Sequence, residues 1–245
     1  MSLDVKRHIG LSPAMTDSAA LKRAAAARAL DFVSPGMRLG LGSGSTAEQF
    51  LELLGARVLG GLDVVGVPTS ERTAEKARAL GITLADLDDI APLDLTIDGA
   101  DEADHDLNVI KGGGGALLRE KIVASSSKRM IVIADESKLV NRLGRFPLPV
   151  EVIEYGHATT AARIAGALAA IGYSRTPVVL RKKDGVVFRT DSGGLVYDCA
   201  LRAIVDVERL ADALSSVAGV AEHGLFVNIA TMLLIARPDG VEVIE

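Results

Sequence analysis

Arg38-Leu39-Gly40-Leu41-Gly42-Ser43-Gly44-Ser45-Thr46 joins a short apolar run to a Gly/Ser turn, and a helix through Phe50-Leu51-Glu52-Leu53-Leu54 follows, closed by Gly55. Strand, tight turn, helix is the opening of a βαβ unit. The pattern then repeats downstream. Asp63–Val67 reads as a strand, Ser70–Leu80 as a helix ended by Gly81, and Leu93–Ile97 as another strand. A glycine run at 112–115 opens a further helix before the fully apolar strand Met130–Ala134. Strands alternating with helices predict an α/β fold, a doubly wound, mostly parallel (Rossmann-like) sheet covered on both faces.

Upstream, Leu21, Ala24, Ala25, Arg28 and Ala29 recur at helical spacing from near Thr16 until Ser34-Pro35-Gly36. Residues 1–14 show no periodicity and read as a disordered leader. Near Phe146-Pro147-Leu148-Pro149 the pattern changes. A strand at Val150–Ile153 and an Ala-rich helix at about His157–Ile171 precede strand-like runs at Pro177–Arg181, Val186–Arg189 and Leu195–Cys199. Lys183-Asp184-Gly185 and Asp191-Ser192-Gly193-Gly194 between them are hairpin signals. With a helix at about Asp206–Ser215, residues 147–217 form an expected smaller α+β (ferredoxin-like) domain. The apolar stretches Leu225–Ile235 and Val241–Ile244 are expected to return to the first sheet, so the larger domain is 15–146 plus about 218–245.

Composition narrows the function. Among 245 residues, 27 Lys+Arg against 32 Asp+Glu leave a net charge of −5, and aromatics make up 3% with no Trp. That balance disfavours a nucleic-acid backbone binder, and the missing aromatics disfavour base stacking. The single cysteine, Cys199, excludes an intrachain disulfide and a cysteine-rich zinc site. No apolar run approaches the ~18 residues of a transmembrane helix, and the N-terminus lacks a signal-peptide core. A soluble, cytoplasmic protein without membrane or nucleic-acid partners is the expectation.

Four clusters sit where strands of the first sheet end, the edge at which open α/β sheets bind ligands. Gly42-Ser43-Gly44-Ser45-Thr46 combines glycines, hydroxyls and a helix N-terminus, a cradle for phosphate. A plain turn with Ser45 as N-cap explains it equally well. Gly42, Gly44 and Ala47 also fit a dinucleotide fingerprint, but the strand ending at Val67-Pro68-Thr69-Ser70 lacks the acidic residue that would hold a ribose. Thr69-Ser70-Glu71-Arg72-Thr73 reads as a helix cap. Asp98-Gly99-Ala100-Asp101-Glu102 fits a sugar-hydroxyl clamp or a metal site, with Asp104, His105 and Asp106 close by. Lys111-Gly112-Gly113-Gly114-Gly115, followed by Glu120 on the next helix, carries the strongest signal. Consecutive glycines bring backbone to a ligand, and a carboxylate base beside an ammonium suits proton abstraction next to a carbonyl.

Together these segments resemble the ribose-5-phosphate isomerase family, type A. Ala134-Asp135-Glu136-Ser137-Lys138, Phe146-Pro147-Leu148-Pro149-Val150-Glu151-Val152, Thr190-Asp191-Ser192-Gly193-Gly194 and Gly224-Leu225-Phe226 extend the likeness over 15–245. Ser43 stands where threonine is more usual, and 1–14 lie outside the pattern. The resemblance implies a cofactor-free, metal-free interconversion of D-ribose 5-phosphate and D-ribulose 5-phosphate through an enediolate. Glu120 would be the base; Asp98, Asp101 and Lys111 would engage hydroxyls and carbonyl oxygen. Ser45, Thr46, Lys22 and Lys138 would take the phosphate, with Ser43, Gly44, Gly99, Ala100, Gly112, Gly113 and Gly114 lining the substrate. A homodimer or homotetramer is implied as well. The competing readings are a nicotinamide-dependent dehydrogenase, which leaves Lys111 and Glu120 without purpose, and a sugar-phosphate-sensing regulator, for which no DNA-binding element is evident.

Overall fold

The computed structural model describes residues 17–245; the expected leader and the helix start at Thr16 fall outside them. Helix α1 (Ser18–Leu30) is capped by the Asp17 carboxylate, which accepts from Ala19 N–H. Its buried stripe is small (Leu21, Ala25, Ala26, Ala29), so it lies close against the sheet. Then follow β1 (Met37–Leu41), α2 (Gly44–Leu59), β2 (Val64–Pro68), α3 (Glu71–Ala79), β3 (Thr83–Leu84), the single turn α4 (Leu87–Ile90) and β4 (Leu95–Asp98). A two-residue hairpin, β5 (Glu102–Ala103) and β6 (Val109–Ile110), precedes α5 (Leu117–Ser125) and β7 (Met130–Asp135).

Helix α2 does not stop at Gly55 as its sequence suggests. It continues to Leu59, because Gly55 is a contact point: a Cβ there would come within 2.8 Å of the Leu80 Cβ. Phe50, Leu51 and Leu54 on its inner face are buried, each contributing ~1.5–3 kcal/mol against the sheet. The N-cap position is Ser43 rather than Ser45.

The smaller unit runs β8 (Leu148–Val152), α6 (His157–Ala170), β9 (Val178–Leu180), a β10 (Lys182–Lys183)/β11 (Val186–Val187) hairpin, β12 (Leu195–Cys199), α7 (Val207–Ser215) and β13 (Val220–His223). Its antiparallel order is β13-β8-β12-β9, a βαββαβ layout of ferredoxin-like type with one hairpin inserted. Val186–Arg189 therefore adds no strand to this sheet and meets it only at the isolated bridge of Arg189 to Leu195. Val186–Val187 folds back on Lys182–Lys183 through Asp184 and Gly185, both at positive φ. The helices bury one face of the sheet over Leu148, Val150, Val152, Leu195, Tyr197, Ile164, Leu168, Leu210 and Leu214.

The return to the larger sheet also comes later than about 218. β13 still pairs with β8, so the chain stays in the smaller sheet through His223. Leu225–Ile235 is not one strand either: β14 (Leu225–Phe226) pairs with β6, and only β15 (Met232–Arg237) and β16 (Gly240–Ile244) join the main sheet.

That sheet has the order β3-β2-β1-β4-β7-β15-β16, parallel except for the β16 edge. From β1 the chain winds outward to β3, then returns to place β4 on the other side of β1. At this reversal the loops after β1 and β4 diverge and leave a crevice at the strands' carboxyl ends. The Gly42 and Asp98 clusters are those two loops.

Candidate active site

Gly42 has no room for a side chain: a Cβ would lie 2.2 Å from Asp98 Oδ1. The close approach lets Asp98 Oδ1 accept from Ser43 N–H at 2.9 Å and from Gly99 N–H at 2.7 Å. Gly44, at φ +85°, turns the chain into α2, so the helix N-terminus with Ser45 and Thr46 faces the crevice. Ser43 spends its hydroxyl elsewhere, 2.6 Å from Thr69 Oγ1 and 3.3 Å from Thr73 Oγ1. Thr73 in turn donates to Gly42 O, so the supposed cap at Thr69–Thr73 also stiffens the first loop.

Lys111 follows β6 and is buried. Its Nζ donates to Gly99 O at 2.6 Å and lies 2.9 Å from Asp98 Oδ2, an ion pair out of line for a well-directed hydrogen bond. Glu120 Oε1 is 3.4 Å from the same nitrogen, and Glu120 Oε2 has no hydrogen-bond partner among the described residues. The Phe226 ring packs 5.7 Å from the ammonium. Burial raises Glu120 to about 8; Lys111 opposes the rise, while Asp98 and Asp101 add to it. Burial also raises Asp98, against the pull of Lys111 and two backbone N–H groups. For Lys111, burial lowers the pKa, but Asp98 and Glu120 more than reverse that, so the ammonium is held charged. One proton is thus poised on Glu120 near neutral pH beside a fixed positive charge.

The remaining wall comes from the other segments. A cavity of about 140 Å³ is lined by Ser43, Gly44, Ser45, Thr46, Gly99, Ala100, Asp101, Lys111, Gly112, Gly113, Gly114 and Glu120, with Lys22 and Lys138 at its rim. Lys22, from α1, donates to Ser45 Oγ at 3.1 Å; Lys138 sits in the helical turn Glu136–Lys138 after β7. Asp98 lies beneath, fully buried. The structure therefore brings together the residues that the resemblance gives to substrate and chemistry, with the Ser43 hydroxyl turned toward α3.

The acidic cluster, by contrast, divides. Asp101 Oδ2 accepts from Gly113 N–H at 2.7 Å on the cavity side. Glu102 accepts from Gly144 and Phe146 N–H, each at 2.7 Å, away from it. Asp104 closes its own loop by accepting from the N–H groups of Asp106 and Asn108. Among the described residues no three His, Cys, Asp or Glu side chains are grouped to hold a metal ion. Sequence reasoning missed Phe226 as the floor of the Lys111 pocket, and Thr69 and Thr73 as the support of Ser43. Only tertiary contact reveals such partners.

An anion cradle at one end and a desolvated carboxylate–ammonium pair at the other define a class, the sugar-phosphate isomerases that work by proton transfer. The comparisons make it specific. Residues 65–240 match the family model described as ribose 5-phosphate isomerase A (phosphoriboisomerase A). The ribose-5-phosphate isomerase A of Nitrobacter hamburgensis is 58% identical over 226 residues, covering 92% of this chain and 97% of that one. That of Parvibaculum lavamentivorans is 57% identical, covering 91% and 97%. Among solved structures, ribose 5-phosphate isomerase from Plasmodium falciparum superimposes with a TM-score of 0.87 at 40% identity, over 92% of this chain and 97% of that one. A D-ribose-5-phosphate isomerase in complex with phospho-erythronic acid gives 0.87 at 35%, over 94% and 100%. This chain belongs to the ribose-5-phosphate isomerase A family.

Proposed function

We propose that this chain interconverts D-ribose 5-phosphate and D-ribulose 5-phosphate in the pentose phosphate pathway, with Glu120 as the proton-transfer base. The observation that carries the reading is Glu120 itself: buried, lining the cavity, one oxygen 3.4 Å from Lys111 and the other without a hydrogen-bond partner among the described residues. Deprotonated, it takes the proton from C2 of the open-chain aldose. The C–H electron pair becomes the C1=C2 bond, and the carbonyl oxygen gathers negative charge. Lys111 stabilises that oxyanion, and Asp98 holds Lys111 in place. The hydroxyl proton passes from O2 to O1, and Glu120 returns its proton to C1, giving the ketose. Asp101, lining the same wall, engages the sugar hydroxyls and assists ring opening. Ser45, Thr46, Lys22 and Lys138 bind the phosphate about the α2 N-terminus, whose unpaired N–H groups favour an anion.

No cofactor enters this scheme, because aldose–ketose isomerisation is redox-neutral overall. Among the described residues no helix is long and apolar enough to cross a membrane. It acts in the cytoplasm as a homodimer or homotetramer. Support for self-association comes from exposed Val179, Val186 and Val187 on the smaller unit. Light scattering on the purified protein tests that assembly. The activity is tested by following ribulose 5-phosphate formation from ribose 5-phosphate with no added cofactor. Absence of turnover would remove the proposal.

A further inference from the structure

A side chain from the smaller unit reaches the wall of the cavity. Arg181, just after β9, donates from Nη1 to Gly112 O at 2.7 Å and to Gly113 O at 3.2 Å. Its remaining donors grip Asp198 on β12, with Nε 2.9 Å from Oδ2 and Nη2 on Oδ1. The guanidinium also lies 5.8 Å from the Phe188 ring, which packs on Gly115. A planar fork with five donors meets both demands at once; a lysine could not. The turn it grips needs such a grip. Gly112 is at φ +101°, and a glycine run has more backbone freedom to lose than any other sequence. Gly113 N–H, in turn, is the donor to Asp101 Oδ2 at 2.7 Å.

We propose that Arg181 is a positioning residue for the reaction: through the carbonyls of Gly112 and Gly113 it fixes the Gly113 N–H on Asp101, and so sets where Asp101 stands relative to Glu120. The proposal rests on reading the cavity as the isomerase site. It assigns the smaller unit a part in the chemistry that its exposed surface does not suggest. The phosphate end is held separately by α1, α2 and the turn after β7, none of which Arg181 touches.

Arg181→Met keeps the aliphatic stem and removes every donor; Arg181→Lys keeps the charge without the fork. The expected result for Arg181→Met is a fall in kcat of about tenfold, the scale of one lost charge-assisted hydrogen bond, with KM within about twofold. Arg181→Lys recovers only a small part. In an Asp101→Asn background, Arg181→Met slows the enzyme no further, because the path runs through Asp101. The charged groups facing Glu120 are Lys111, Asp98 and Asp101, with Lys22 and Lys138 on the same cavity wall. Freed from the Gly113 N–H, Asp101 swings away from Glu120 and its charge raises Glu120 less, so the acid limb of kcat/KM moves to lower pH. Additive losses in the double variant, or a reduced kcat with the limb unmoved, would overturn the proposal and leave Arg181 a fold brace.

Should Arg181→Met fail to fold, Asp198→Asn loosens the same arm from its partly exposed end and is expected to show the same shift, smaller. A readout independent of turnover is the Gly113 amide proton by NMR. It should be displaced downfield in the unaltered chain and move upfield in Arg181→Lys; no movement counts against the brace. If the unaltered chain shows no isomerase activity, the site reading fails and Arg181 has no reaction to position. The amide then decides the brace by itself.

Discussion

Lys22 and Lys111 both present an ammonium to the same cavity, yet their surroundings are opposed. Lys111 is 3% exposed and ringed by Asp98, Glu120, Gly99 O and the face of Phe226. Lys22 is half-buried, and among the described residues its one side-chain hydrogen bond goes to the neutral hydroxyl of exposed Ser45. A phosphate already carries its charge and needs counter-charge and N–H groups, which hydrated side chains at a helix end supply. An oxyanion that exists only in passing needs a charge already in place and stripped of water, since solvent would otherwise reorganise at each turnover. On the proposed function, one end of the cavity serves binding and the other chemistry, and each variant below probes one end.

Glu120→Gln carries the largest expected effect. The amide keeps the shape but cannot accept a carbon-bound proton, so kcat should fall by ~10²–10⁴-fold or more while KM changes little. Activity within a few-fold of the unaltered enzyme would make the two ends chemically equivalent and break the distinction.

Asp98→Asn tests whether the chemical end is also the costly end for the fold. The new amide cannot satisfy both the backbone donors at Oδ1 and the ammonium at Oδ2, so Lys111 is left with a weakened partner set in a dry site. Breaking a buried pair costs ~3–5 kcal/mol. Denaturant unfolding should register a loss of that order, against less than ~0.5 kcal/mol for Lys22→Ala at the rim. Equal losses would mean the buried cluster stores no special stability.

How much of this was legible beforehand follows the same division. The strand-end motifs were readable because each lies within a few residues of the strand that aims it: Asp98 is the last residue of β4, and Gly42 the first after β1. Glu102 misled because adjacent residues of an extended chain point to opposite faces, so a carboxylate next to Asp101 was the one least able to join it. Two-residue strands such as β5 and β14 are too short to show any period. The placement of β13 depended on β8, almost 70 residues earlier. Gly55 has the composition of a stop signal, and only the approach of Leu80 explains why α2 runs through it. Arg181 reaches the glycine turn from the far end of another sheet, a contact no local pattern encodes.

At the binding end, Lys138→Ala should raise KM by about tenfold with kcat nearly kept, the signature of lost uniform binding. Steady-state kinetics on ribose 5-phosphate decide it. A fall in kcat alone would move Lys138 to the chemical end.

The pH profile separates the two ends without a mutation. In the free enzyme Glu120 titrates at about 8 because burial, then Asp98 and Asp101, outweigh Lys111. Only the deprotonated form is a base. Below that value kcat/KM should therefore fall about tenfold per pH unit, and level off above it. A limb near 4.5, the ordinary glutamate value, would mean that the carboxylate is solvated and the contrast with the rim is lost.

Chelation should have the smallest effect of all, namely none. An aldose–ketose isomerase can steady its enediolate with a divalent cation or with protein donors, and the choice depends on what its carboxylates are free to do. Here Asp98 Oδ1 already accepts two backbone N–H groups and Oδ2 faces an ammonium at 2.9 Å. Asp101 accepts the Gly113 N–H, and Glu102 is committed to Gly144 and Phe146. A dication would have to displace these donors and sit beside Lys111, which repels it. The lysine supplies the same positive charge at the same place, permanently and without a free coordination site to fill. Exhaustive dialysis against EDTA should therefore leave kcat and KM unchanged. Loss of activity restored by Mg²⁺ or Mn²⁺ would show that Lys111 is not the electrostatic partner of the enediolate, and would return the acidic loop to the role of a metal site.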